Sequence, residues 1–239
     1  MGAARKWFEV GFDLTYLATV WGFVGAMFQR RDLVRPEDRR VAKLVLAAFL
    51  LLALGDTGHV GFRVLAYALG SAPQLSLWGA PLSLTGLGTL MTAVTVTLFY
   101  VLFLAIWRYR FQGEYGAFGH LLMAAALLRL ILLAMPVNQW NAPVPPQPWS
   151  IIRNLPLLLQ GLGVAYLLLR DAARQGDRAF WWMALMILVS YTCYTAVVLL
   201  VQRYPAVGFL MIPKTVAYLV ICVLAYKALY QAQGTLAEG

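Results

Sequence analysis

The chain has 239 residues, 62% of them hydrophobic and 12% charged, and its mean hydropathy is +0.72. That composition excludes an ordinary water-soluble domain and marks a polytopic membrane protein. The formal charge of +9 is no sign of a nucleic-acid partner, because the arginines gather at the ends of apolar runs, where the positive-inside rule and anionic lipid account for them.

Seven apolar runs follow one another, at about 8–28, 43–69, 83–107, 117–135, 151–170, 179–201 and 207–230. Each approaches the ~20 residues that a spanning helix needs. The expected fold is all-α, a single seven-helix transmembrane domain over residues 1–239. The first run follows Arg5 and Lys6 as a signal peptide would, but Asp13 interrupts it and no small-residue cleavage site follows. It is read as a retained helix. Cys193 and Cys222 fall inside apolar runs and are read as packing residues.

The connectors are of two kinds. Arg30, Arg31, Arg35, Arg39, Arg40, Lys43, Arg108, Arg110, Arg170, Arg174, Arg178 and Lys227 fall on one side of the bundle. Arg5, Lys6 and Arg203 fall on the other. This bias of twelve to three places the N-terminus outside and the C-terminus in the cytoplasm. The connector Ser71–Pro81 carries no charge. Residues 136–150 hold Trp140, Trp149 and five prolines, Pro136, Pro143, Pro145, Pro146 and Pro148, and read as a semi-rigid outer cap. Trp107, Trp181 and Trp182, at the cytoplasmic ends of their runs, read as interface anchors.

Polar residues inside the runs carry the functional signal. Asp56, His59 and Arg63 are spaced three and four apart, so they stack on one helix face. Ionisable groups at membrane depth are costly, and the default reading is a functional site facing the protein interior. With the topology above, Asp13, Arg63, Arg129, Arg153, Asn154, Gln160, Tyr191, Tyr194 and Lys214 all fall in the outer half of the bundle, as do Thr85, Thr89 and Thr92. Helices with polar faces at one depth can enclose a polar cavity. Arg63, Arg129, Arg153 and Lys214 outnumber Asp13 and Asp56, which favours an anionic small molecule or a membrane lipid headgroup as partner. Plainer readings stand beside this one. Asp56 with Arg63 or Lys214 would be a structural ion pair, Arg153 would snorkel to the interface, and the threonines would bond to preceding carbonyls. His120 reads as a packing or interfacial residue, and Gly55, Gly58 and Gly61 as a close helix contact.

No metal or cofactor is expected: the two histidines, His59 and His120, lie at opposite depths, and four cations crowd the acids. Acid–base catalysis is better supplied, with Asp56 and His59 one turn apart, but no nucleophile stands beside them.

Seven helices, an outside N-terminus and Lys214 in the last helix resemble the topology of microbial rhodopsins, which implies Lys214 as a Schiff-base position. The third helix carries threonines where that family has an aspartate counterion. The Gly55-Asp56 pair in an apolar helix resembles the lysoplasmalogenase-like membrane hydrolases, which implies a second intramembrane aspartate that this chain lacks after Asp56. A nearer resemblance is to uncharacterised bacterial seven-helix membrane proteins with a Gly-Asp-x-x-His-x-x-x-Arg segment, here Gly55, Asp56, His59 and Arg63. These also carry a Trp-x-x-x-Arg-Asn-x-Pro segment, here Trp149, Arg153, Asn154 and Pro156. That resemblance implies a common fold and brings no activity with it.

The leading expectation is a binding or sensor-type protein with a net-positive pocket lined by Asp56, His59, Arg63, Arg129, Arg153 and Lys214. Asn154, Gln160, Tyr191, Tyr194 and Asp13 would add polar contacts. The alternatives are a lipid-modifying hydrolase or isomerase with Asp56 and His59 as its acid–base pair, and a structural membrane subunit.

Overall fold

The computed structural model describes residues 3–69, 75–77, 79–142 and 146–231, with backbone alone for residues 3–10 and Leu77. The side chains of Arg5 and Lys6, residues 71–74 and 78 of the charge-free connector, and residues 143–145 of the proline-rich loop lie outside the described residues.

Seven helical segments among the described residues are long and apolar enough to cross a membrane, as the seven runs predict. The first four spans are α1 (Ala3–Gln29), α2 (Arg39–Leu69), α3 (Leu84–Phe111) and α4 (Gly116–Ala134). A small antiparallel hairpin, β1 (Leu75–Leu77) with β2 (Ala80–Leu82), precedes α3. Its turn holds Gly79 at φ +79°, a conformation that suits glycine. The sequence reading had placed only an uncharged loop there.

The fifth span is broken. A single turn, α5 (Trp149–Ile152), ends at Arg153 and Asn154, and α6 (Leu155–Gln175) begins after them. Pro156 explains the break, because its ring has no N–H to give and crowds the carbonyl four residues back, at Ile152. The chain therefore turns where its conspicuous Arg-Asn pair sits. After α7 (Arg178–Leu200), a 3₁₀ turn at Pro205–Leu210 leads into α8 (Met211–Tyr226), followed by a π turn at Lys227–Gln231. Pro213 lies in the first turn of α8, where a missing N–H costs nothing. Lys214 is thus held near the start of a helix.

The arginine-rich connectors meet at one end of the bundle. Arg110 bridges two loops, donating to Asp38 at 2.6 Å and to Asp177 at 2.8 Å. Trp107 donates its indole N–H to Asp171 at 2.8 Å and is only 2% exposed, so it is a buried tie between α3 and α6 and not an interface anchor. Its hydrogen bond satisfies the polar edge that would otherwise draw the ring to the surface. Cys193 and Cys222 are both free thiols.

The core is aromatic, built on Phe49, Phe99, Tyr100 and Phe103, with Phe99 and Phe103 stacked at 4.4 Å. Beside it α2 and α3 pack along much of their lengths. The glycines of the Gly-Asp segment permit this. A Cβ on Gly55 would fall 1.9 Å from Oγ1 of Thr95, and one on Gly88 would fall 2.9 Å from Cα of His59. Backbones approach this closely only where a side chain is missing. The contact at Gly88 is with backbone, which cannot rotate away. Gly88→Val is therefore expected to lower stability by roughly 1–3 kcal/mol, the usual cost of overpacking. The thermal midpoint of the purified protein, against a conservative change such as Leu159→Met on an exposed face, checks it.

Candidate functional site

The hairpin end of the bundle contains the polar residues that the sequence singled out, but they form two cavities and not one. The larger, about 300 Å³, lies between α1, α2 and α8. Asp13, Tyr16, Asp56, His59, Arg63 and Lys214 supply its polar wall. The smaller, about 110 Å³, lies between α3, α4, α6, α7 and α8. Arg129, Arg153, Asn154, Tyr191, Tyr194 and Lys214 line it. Val96, Lys214 and Tyr218 belong to both walls. The expected single pocket, walled by runs two, four, five and seven together, is corrected to this pair. Run two and runs four and five stand on opposite sides of Lys214, because α1 and α3 pack on α2 and keep it from α4 and α6.

The larger cavity is close to charge-balanced. Arg63 pairs with Asp13 at 3.6 Å, not with Asp56. Asp56 instead accepts a hydrogen bond at 2.8 Å from the hydroxyl of Tyr16. Tyr16 lies three residues after Asp13, so α1 delivers both to the same face. Arg63 also reaches Nε2 of His59. A guanidinium only donates, so Nε2 accepts, and the ring proton sits on Nδ1. That Nδ1 is buried and makes no side-chain hydrogen bond among the described residues. Asp56 and His59 are thus neighbours on α2 that answer to different partners. Neither orients the other, and the imidazole nitrogen that faces a side chain is already occupied by Arg63.

The smaller cavity is different in kind. No acidic residue lines it among the described residues, while three cations do. Arg129, on α4, is 2% exposed. Its Nη2 donates to Oδ1 of Asn154 at 3.4 Å, a long hydrogen bond. Its Nε and Nη1 are buried and have no partner among the described residues. Arg153 is 6% exposed, so it does not snorkel. Its guanidinium stacks over the Trp140 ring at 4.5 Å and donates to Oδ1 of Asn138 at 2.9 Å. The ammonium of Lys214 sits over the rings of Tyr194 and Tyr218, at 5.2 and 5.5 Å. Those are faces of negative quadrupole that hold a cation without cancelling its charge.

Oxygen acceptors and hydroxyls order this cation cluster. Asn154 takes bonds from Tyr194 (2.7 Å) and Arg129 on one oxygen and gives its amide N–H to the carbonyl of Ser150 at 2.7 Å. The start of α6 lies at the same wall, so its positive dipole end adds to the cations. Tyr191 donates to the carbonyl of Leu157 at 3.1 Å. Gln160 lines none of these cavities. It is buried one turn deeper and donates to the carbonyl of Thr97 at 3.2 Å, with its Oε1 unpartnered. Among the threonines, Thr89 bonds to its own helix, at the carbonyl of Thr85, while Thr92 reaches across to the carbonyl of Gly55.

Sequence reasoning missed four supporting residues. Tyr16 was recoverable from its spacing to Asp13. Asn138 was not, yet it fixes the cap: its amide donates to the carbonyls of Leu132, Leu133 and Met135, and its oxygen accepts from Trp149 and Arg153. Trp140 passed as an interface residue, although it is buried as the platform beneath Arg153. Its carbonyl seats on the N-terminus of α3, where a Cβ on Gly86 would come within 1.6 Å of it. Ser190, fully buried, also lines the small cavity.

Comparison with protein-family models, with curated proteins and with solved structures returns no match. The chemistry of the site therefore carries the functional argument.

A buried cation with two unanswered N–H groups opposes folding of the ligand-free protein. Arg129→Met is accordingly expected to raise the stability of the ligand-free protein by roughly 1–3 kcal/mol, the penalty of an unsatisfied buried polar group. A purely structural arginine gives the opposite sign. Thermal unfolding of both proteins after exhaustive anion-free dialysis distinguishes the two.

Proposed function

We propose that this chain is an anion-binding protein of a bacterial cytoplasmic membrane, with its hairpin end outside and its arginine-rich end in the cytoplasm. The observation that carries the reading is Arg129: a guanidinium at 2% exposure whose Nε and Nη1 are unpaired, beside a cavity that Arg153 and Lys214 share. Desolvating a cation costs several kcal/mol unless a charge answers it, and no residue among those described supplies that charge at this cavity.

The ligand that fits is an oxyanion, a phosphate or carboxylate group, either free or as the headgroup of a membrane lipid. Arginine presents a planar fork to such groups, and lysine adds a point charge. At about 110 Å³ the cavity holds several times the ~10–15 Å³ that one water needs. The role is that of a binding or sensor-type protein. The two short segments that resemble bacterial seven-helix proteins divide between the cavities. Asp56, His59 and Arg63 line the larger one, while Arg153 and Asn154 wall the smaller.

A lipid-modifying reaction through Asp56 and His59 has less support, because the two side chains bond to Tyr16 and Arg63 and not to each other. A structural role for the charges accounts for Arg63 with Asp13 but not for Arg129.

The test is calorimetric titration of the protein in phosphatidylcholine nanodiscs with inorganic phosphate, and in parallel its capture of phosphatidic acid doped into the discs. Binding of at least one is expected. Arg129→Gln should weaken it by about ten- to a hundredfold, the worth of one or two charge-assisted hydrogen bonds at ~1.5–3 kcal/mol. Binding of neither, or binding unchanged in Arg129→Gln, rejects the reading.

A further inference from the structure

The oxyanion has two possible sources, water or the lipid bilayer, and the way into the small cavity separates them. Much of its lining is buried, while Thr92, Ala93, Tyr194 and Lys214 are half-buried. Arg129, Leu133, Trp140, Arg153, Leu157 and Ser190 are buried. Of the residues that line it, Thr89 alone is exposed. Thr89 also lines a third cavity, about 150 Å³, at the hairpin end.

That third cavity is a vestibule. It lies between the N-terminal turn of α3 and the cap, with Thr85, Gln139 and Ala142 towards its outer side and Trp140 and Arg153 at its floor. Thr89, Trp140 and Arg153 line both vestibule and buried cavity. Thr85, Thr89 and Thr92 are spaced four and three apart, so their side chains follow one face of α3. They lead from the exposed end towards Arg129 and Lys214. No acidic residue lines the vestibule among the described residues.

The other neighbour of the buried cavity is the larger one, across Lys214, Val96 and Tyr218. Asp13 and Asp56 line it. The larger cavity is close to charge-balanced, with Arg63 against Asp13, whereas the vestibule offers Arg153 with no acid beside it among the described residues, and that difference gives the anion a preferred direction. An acyl-chain lipid would need an opening between helices at Arg129 itself, and of the α4, α6 and α7 residues that line the cavity there Arg129, Leu133, Leu157, Ser190 and Tyr191 are buried and Tyr194 is half-buried.

We infer that the anion reaches Arg129 from water, through the vestibule between the cap and α3, with Arg153 at its floor as the first cation met, so that the ligand is a small free oxyanion and not a lipid headgroup. The inference rests on the anion reading above and specifies its source.

The test uses the full chain in phosphatidylcholine nanodiscs, with Cys193→Ser to remove the partly exposed thiol; Cys222 is buried. Thr89→Cys reports on the seam between the two cavities and Thr85→Cys on the vestibule alone. Thr215→Cys reports on the larger cavity. Labelling by an anionic, membrane-impermeant methanethiosulfonate is followed by intact-mass spectrometry. Both Thr85→Cys and Thr89→Cys are expected to label from water. Inorganic phosphate at about ten times its dissociation constant should slow labelling of Thr89→Cys about tenfold. That protection should vanish when Arg129→Gln is added, and Thr215→Cys should keep its rate throughout. The inference is overturned if Thr85→Cys and Thr89→Cys label only after denaturation. It is equally overturned if phosphatidic acid protects Thr89→Cys and phosphate does not, or if phosphate protects Thr215→Cys instead. Failure of both phosphate and phosphatidic acid to bind in the calorimetric experiment would reject the anion reading itself, whereas binding without protection at residue 89 rejects only the route.

Discussion

The guanidinium of Arg129 sits where a cation has little reason to be. It is buried among α4, α6 and α7, holds one long hydrogen bond to Asn154, and faces Arg153 and Lys214 across a small cavity that no carboxylate lines among the described residues. Like charges in a low-dielectric interior repel, and each must also give up its hydration. A fold that assembles such a cluster has to offset the cost elsewhere. Here the offset is visible in the aromatic core and in the α2–α3 contact, which bring apolar surface together without help from the charges. The cations are then placed by groups that orient but do not neutralise: amide oxygens of Asn138 and Asn154, and the ring faces of Trp140, Tyr194 and Tyr218. Neutral supports of this kind leave the positive charge available to something that arrives later.

Lys214 gives the arrangement its second feature. It stands between a balanced cavity, where Arg63 is matched by Asp13, and an unbalanced one, where no acid answers. Asp56 is held by a tyrosine hydroxyl and is not consumed by a close ion pair among the described residues. The two cavities differ in charge because the two acids both belong to the α1–α2 side. That segregation leaves the unbalanced positive charge on the Arg129 side.

Much of this architecture is written locally. The seven spans follow from apolar length, and the break in the fifth follows from Pro156. The glycines before and after Asp56 announce a close helix contact, which is where α3 packs. Depth along each run gathers Arg63, Arg129, Arg153 and Lys214 in one half of the bundle, and these residues line two adjoining cavities. Rotation about each helix axis was not legible. Whether Arg63 turns to Asp56 or Asp13 depends on how α1 packs, and nothing within α2 encodes it. The same ignorance merged two cavities into one and put Gln160 in a wall it does not share. Asn138 escaped notice because a loop amide carries no periodicity, and Trp107 was misassigned because its partner, Asp171, lies on another helix. Pairings across helices are set by tertiary packing, and a sequence read one run at a time does not contain them.

The central claim is that an oxyanion belongs beside Arg129. The most direct measurement is anomalous diffraction from crystals of the wild-type protein grown with selenate, a tetrahedral oxyanion with a selenium signal. The account predicts an anomalous peak in the small cavity, with selenate oxygens about 2.7–2.9 Å from Nε or Nη1 of Arg129. An empty cavity at saturating selenate, or an Arg129 turned instead onto a carboxylate of its own chain, would contradict it.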